Sequence, residues 1–269
     1  MIIRRIATGI NIFPNNKQME TFGFLITSYL ENKQHLMCLF ECIQSILCFY
    51  KEEQIVILFA KGTYEEGVKE VALKYPNTKR VFCDGTATMN SLQHIYFDKT
   101  IILHDSMTIK QSIPFYSVTD VQFLWYFTNH RLQWSTIEEP KTEYNSTHGI
   151  KTHDDLIIHL FKKYAKGDFL EWALDMYWKK DEWVGCFGNT CIITKEFVQK
   201  LDEKTGIISI LSNLSDNRER RAAESIFSLA CKYVITGIDV LDGLYYDGYG
   251  YSNNGEGKFI TKRVQSFER

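Results

Sequence analysis

The residues best suited to chemistry stand where an apolar run stops. Thr100–Leu103 reads TIIL and gives way at once to His104, Asp105 and Ser106. A strand that ends abruptly in a carboxylate places that carboxylate at a sheet edge. There it offers a hard divalent cation the oxygen ligand it prefers, and such a cation can bridge two phosphate oxygens. An imidazole from His104 would shift the preference from magnesium (Mg2+) toward manganese (Mn2+). The simpler alternative is that Asp105 caps the next turn.

Other chemistry-bearing residues lie further along. Glu224 follows Arg218, Arg220 and Arg221 in RERRAAESIF, and Asp216 lies just before them. A carboxylate near arginines is held ionised; a solvated, salt-bridged helix face fits the same residues. Trp183, Gly185, Cys186 and Phe187 combine aromatic faces, on which sugars stack, with glycines that let a ligand approach the backbone. They would serve a packed core equally well. Near the end, GYGYSNNGEGK brings Lys258, then Lys262 and Arg263, in a loop flexible enough to close over an anionic ligand or to be an ordinary solvated tail.

These residues need elements to position them. Gly23–Tyr29, Gln54–Ala60, Lys79–Cys83 and Thr100–Leu103 are short, continuously apolar and β-branched, as buried strands should be. Between them, Asn32–Tyr50 and Tyr64–Tyr75 repeat apolar residues at helical steps, and Thr86–Phe97 reads as a third helix. This alternation predicts an α/β fold: a mostly parallel central sheet flanked by helices on both faces. Ligands of such sheets sit beyond the carboxyl ends of the strands. That rule gathers Thr27, Ser28, Tyr29 and Glu31 after the first strand, Asp84, Gly85, Thr86 and Asn90 after the third, and His104, Asp105 and Ser106 after the fourth.

Beyond Pro114 the pattern changes. Val118–Thr128 is an aromatic strand, Thr136–Thr152 a polar loop, and Glu182–Thr194 a glycine-interrupted strand region. Asp154–Tyr164, Phe169–Tyr177, Lys195–Leu201 and Asn217–Tyr233 read as helices. No repeat or linker divides the chain. A single domain, with a nucleotide-binding half over about 20–115 and an acceptor half over about 116–269, accounts for its 269 residues.

Composition excludes several classes. A net charge of -2 gives no electrostatic case for nucleic acid. There is no Gly-x-Gly-x-x-Gly after the first strand and no GxxxxGK[ST], which argues against dinucleotide dehydrogenases and P-loop enzymes. No apolar run reaches a transmembrane span of ~20 residues. The N-terminus does not read as a signal peptide. Seven cysteines, an odd number without a CxxC pair, read as reduced core thiols and predict a cytoplasmic location.

The N-terminal half resembles glycosyltransferases of GT-A (Rossmann-like) fold. TSYLEN at 27–32 looks like the motif after their first strand, DGTATMN at 84–90 like the turn after the third, and HDS at 104–106 stands in place of their Asp-x-Asp metal motif. The second half resembles transferases encoded by large DNA viruses, which would place the chain in a host-cell cytoplasm. There WVGCFGNTCIIT looks like the acceptor-facing strand and RERRAAESIF like the helix bearing the catalytic carboxylate. The resemblance implies a nucleotide-sugar donor, with a UDP-sugar favoured, and a glycan or glycoprotein acceptor. It implies Mn2+ (or Mg2+) on Asp105 and His104, and Glu224 or Asp216 as general base in an inverting transfer. The motif departs from the family pattern: His104 replaces the first acid, and no second acid follows. Two alternatives stay open, a sugar nucleotidyltransferase and a catalytically dead carbohydrate-binding relative. Oligomeric state is not readable.

Overall fold

The computed structural model describes residues 20–127, 150, 153–214, 219–235, 239–246 and 259–262. The first half alternates as expected: β1 (Phe22–Ser28), α1 (Lys33–Leu47), β2 (Ile55–Phe59), α2 (Glu65–Lys74), β3 (Lys79–Phe82), α3 (Ala87–Asn90) and β4 (Lys99–His104). The predicted helix over 86–97 is shorter than its pattern. One α turn passes into a single 3-10 turn at Ser91–His94. The second half contains β5 (Met107–Ile109), β6 (Val121–Phe127), α4 (His153–Tyr164), α5 (Phe169–Trp178), β7 (Gly185–Cys186) and β8 (Cys191–Thr194). After these come α6 (Lys195–Thr205), α7 (Ile207–Ser212), α8 (Arg220–Val234), β9 (Asp239–Tyr246) and β10 (Ile260–Lys262). The polar loop predicted over 136–152 lies almost wholly outside the described residues.

The main sheet has the order β3-β2-β1-β4-β8-β6, with β7 and β9 also paired to β6. β3, β2, β1 and β4 are mutually parallel, whereas β8 is antiparallel to both β4 and β6. The chain thus steps outward from β1 through β2 to β3, then returns to place β4 on the other side of β1. That reversal is a topological switch point, and it opens a crevice between the carboxyl ends of β1 and β4.

Alternate residues of each central strand feed opposite faces. Leu25, Val56, Leu58 and Ile102 join one core with α4 to α8; Phe24, Ile26, Ile57, Phe59, Ile101 and Leu103 join the other with α1 and α2. Burial on both faces is why these strands carry no polar alternation. At the far edge, β3 is the exception: Lys79 and Phe82 are exposed, and Arg80 and Val81 are half-buried. The Lys79 ammonium lies 3.2 Å from the centre of the Tyr96 ring.

β7 and β8 are two pieces of one interrupted ribbon along β6. Phe123 pairs with Cys191, and after the interruption Tyr126 pairs with Cys186. The residues between, Phe187–Asn189, form a tight turn in which Gly188 (φ 61°) and Asn189 (φ 56°) are both left-handed. Gly185 is needed for packing, because a Cβ there would fall 1.9 Å from the Phe127 ring. β10 pairs antiparallel with β5, outside the main sheet.

All seven cysteines are free thiols, and five of them are buried; Cys48 is exposed and Cys83 half-buried. Among the described residues, no helix is long and apolar enough to cross a membrane.

Candidate functional site

The crevice at the switch point is built by adjacent strand ends. Thr27 stands opposite His104 in the β1–β4 register, so the next residues, Ser28 and Asp105, leave the sheet side by side. The Ser28 hydroxyl donates to Asp105 Oδ2 at 2.8 Å. The Asp105 N–H donates to the Thr27 carbonyl at 3.2 Å, and the Thr27 hydroxyl donates to the Leu103 carbonyl. Asp105 is therefore held from both its backbone and its side chain while staying half-buried at the rim. Ser106 follows at the mouth of a groove of about 260 Å³, shared with Cys38, Glu41, Thr108 and Thr261.

His104 is buried. Its Nε2 lies 2.9 Å from the Gly188 carbonyl oxygen. A carbonyl can only accept, so Nε2 carries a proton and donates it to this bond. The contact requires glycine, because a Cβ at residue 188 would lie 2.2 Å from the imidazole, and φ there is positive. On its other side the Gly188 N–H donates to Glu224 Oε1 at 2.9 Å. One residue thus joins a strand-end histidine to a carboxylate on α8.

Glu224 is 1% exposed. The solvated helix face that its arginine-rich surroundings suggested is not where it sits. α8 turns this carboxylate inward because Ala222, Ala223, Ile226, Phe227 and Ala230 beside it are buried in the same core.

The rest of the predicted rim divides. α3 packs against β1, the Phe187–Asn189 turn and α8, so the segment after β3 does join the crevice wall. Asp84 is exposed there, and Gly85 uses a positive φ (125°) while its carbonyl accepts from Lys61 N–H. Asn90 is engaged locally: its amide donates to the Thr86 carbonyl and accepts from Gln93. The Thr86 hydroxyl is buried without a hydrogen-bond partner. Tyr29 is 38% exposed, and exposed Glu31 lies 4.0 Å from the His35 ring.

The proposed acceptor platform is mostly interior. Trp183, Gly185 and Cys186 are buried, so they present no stacking face. Burial pushes the Cys186 thiol well up, and the nearby Cys191 and Cys231 thiols and the Glu224 carboxylate add to the effect. Phe187 alone is half-buried, stacked on Trp125 with ring centres 3.9 Å apart.

Asp216 and Lys258 lie outside the described residues. β10, which follows Lys258, runs toward the rim with its other end: Lys262 stands opposite Met107, two positions after Asp105, while the Phe259 carbonyl accepts from Lys110 N–H. Sequence reasoning missed Asn189. It is fully buried, left-handed, and has neither amide end hydrogen-bonded. Its only sequence signal was the Gly-Asn pair, a common left-handed dipeptide.

The residues meet the requirements of a divalent cation only in part. Asp105 is an oxygen donor at the rim, but the described residues bring together no group of three His, Cys, Asp or Glu side chains. A cation here would take its remaining ligands from a bound diphosphate and water.

No family model matches the chain, and no curated protein matches it. Among solved structures, an active-site mutant of LgtC is similar with a TM-score of 0.40 and 10% identity, over 81% of this chain and 72% of that one. The bifunctional glycosyltransferase WbbM in its apo form gives 0.41 and 9%, over 84% of this chain; the match spans only 40% of WbbM. The apo form of mouse xyloside xylosyltransferase 1 gives 0.36 and 10%, over 82% of this chain and 85% of that one. Likeness this remote carries no argument about chemistry.

Proposed function

We propose that the chain is a glycosyltransferase of GT-A fold, moving a sugar from a nucleoside-diphosphate sugar to a glycan or glycoconjugate acceptor. The observation that carries this reading is the Ser28–Asp105 pair at the switch point between β1 and β4. A carboxylate fixed at that position is suited to a ligand that reaches the crevice with its own negative charge and a shared cation. When bound, Mn2+ or Mg2+ between Asp105 and the diphosphate would neutralise charge on the leaving nucleoside diphosphate. The protein's own part is to hold the Asp105 carboxylate in place through Ser28 and Thr27, so that no reorganisation is needed on binding.

The nucleotide is held by side chains and not by a glycine-rich cradle, since the β1–α1 turn reads TSYLEN. A UDP-sugar is the favoured donor. The half-buried Phe187 is the remaining aromatic for an acceptor ring. A second reading is favoured by the lack of a three-ligand cation group among the described residues: a relative that binds the donor without turning it over.

A thermal-shift panel of nucleotide sugars with manganese tests the proposal, because a ligand that binds only the native state raises its melting temperature. One UDP- or GDP-sugar should stand out. Asp105→Asn should keep the fold by circular dichroism, abolish that shift and lower transfer by about 10²–10³-fold. Full transfer by this variant would overturn the assignment. Donor binding with neither transfer nor hydrolysis would identify the non-catalytic relative.

A further inference from the structure

We propose that Glu224 is a positioning residue: its carboxylate clamps Gly188 through its N–H, and the Gly188 carbonyl fixes the His104 ring next to Asp105. The inference rests on the rim being the donor site. A general base must reach the acceptor hydroxyl at hydrogen-bond distance. Glu224 is 1% exposed on the core side of α8, and its Oε1 is already engaged by the Gly188 N–H at 2.9 Å.

The Gly188 carbonyl accepts from His104 Nε2 at 2.9 Å, so both main-chain polar groups of this residue are committed. A charged acceptor strengthens the N–H bond and so fixes the turn that presents the Gly188 carbonyl to the imidazole. The turn needs such a clamp because Gly188 and Asn189 are consecutive left-handed residues, and the Asn189 side chain contributes no hydrogen bond. His104 shares the chain with Asp105, so a ring that loses its acceptor no longer fixes the end of β4. Glu224 thus acts on the rim through Gly188 and His104, without touching substrate. The base then falls to another carboxylate, for which Asp216 is the sequence candidate.

The experiment compares Glu224→Gln with Glu224→Leu in the full chain. Glutamine keeps an oxygen that can accept from the Gly188 N–H, whereas leucine does not. Three readouts are taken: titration calorimetry with UDP and with GDP, each with manganese; steady-state transfer; and the His104 tautomer from long-range nitrogen–proton NMR of the ring.

Glu224→Gln should bind the better nucleotide within about threefold of wild type, keep kcat within about tenfold, and retain the Nε2–H tautomer. A lost general base typically costs 10²–10⁴-fold. Glu224→Leu should weaken nucleotide binding by about tenfold or more and lose the single tautomer. A thousandfold fall in kcat for Glu224→Gln with binding unchanged would overturn the proposal and restore Glu224 as the base. An unchanged tautomer and affinity in folded Glu224→Leu would overturn it too. If leucine prevents folding, the glutamine variant alone decides. Asp105→Asn serves as control: if it leaves nucleotide binding intact, the donor-site reading fails, whatever Glu224 does.

Discussion

Gly188 makes the energetics of the site concrete at the scale of one residue. A side chain there meets two penalties at once. A left-handed backbone costs a non-glycine residue about 1–2 kcal/mol, and overpacking a tight contact costs about 1–3 kcal/mol. Gly188→Ala should therefore destabilise the fold by about 2–5 kcal/mol in urea denaturation, with His104 as the residue displaced. Little of this was legible in the sequence. Asp105 could be placed at a rim because an apolar strand ends there. Glu224 could be named, but not oriented, since its bond to Gly188 spans 36 positions and depends on a turn only two left-handed residues can make. Trp183 could not be assigned for a related reason: aromatic character cannot tell a stacking face from a core ring, and here the ring is buried.

Single elements show which local signals survive tertiary context. α1 begins where Asn32 accepts from the N–H groups of Gln34 and His35, satisfying two donors that the helix leaves open. Asn32→Ala should cost about 1 kcal/mol of stability, read as a shifted denaturation midpoint with unchanged slope. At the opposite end of the sheet, Asp98 accepts from both the N–H and the hydroxyl of Thr21, which ties the start of β1 to β4. These bonds, backbone first, hold its carboxyl below the ordinary value of 3.8. The sign follows from linkage: the stabilisation is present above about pH 4 and fades as pH falls through the lowered value. Asp98→Asn should flatten that part of the acid-unfolding curve by lowering stability at neutral pH, with little change below the lowered value. The strands and first two helices around these contacts were legible because both faces of the parallel sheet are buried, which forces continuous apolar runs. β5 and β10 were not, because three residues carry too little pattern and each exists only through the other.

For the molecule as a whole, the consequential link is the one between β5 and β10, far apart in sequence. β10 returns from beyond β9 to pair with β5, directly after Asp105, and Ile260 is fully buried in the core beneath α1. No local pattern could have announced a pairing that spans most of the chain. Ile260→Asp should release this clip, since burying Ile contributes about 1.5–3 kcal/mol and a buried carboxylate opposes it further. Hydrogen exchange should speed at Met107–Ile109 while β1, β2 and β4 keep their protection, and nucleotide affinity should fall. Unchanged exchange at β5 would show that the clip does not matter.

The exposed outer strand β3 has a consequence for handling the protein. It is a short ribbon end with Phe82 turned to water, the kind of edge on which a second chain can add itself and seed precipitation. Two cations, Lys79 and Arg80, guard it. Neutralising both should leave any chemistry at the distant crevice untouched, yet turn a soluble preparation into one that clouds on standing.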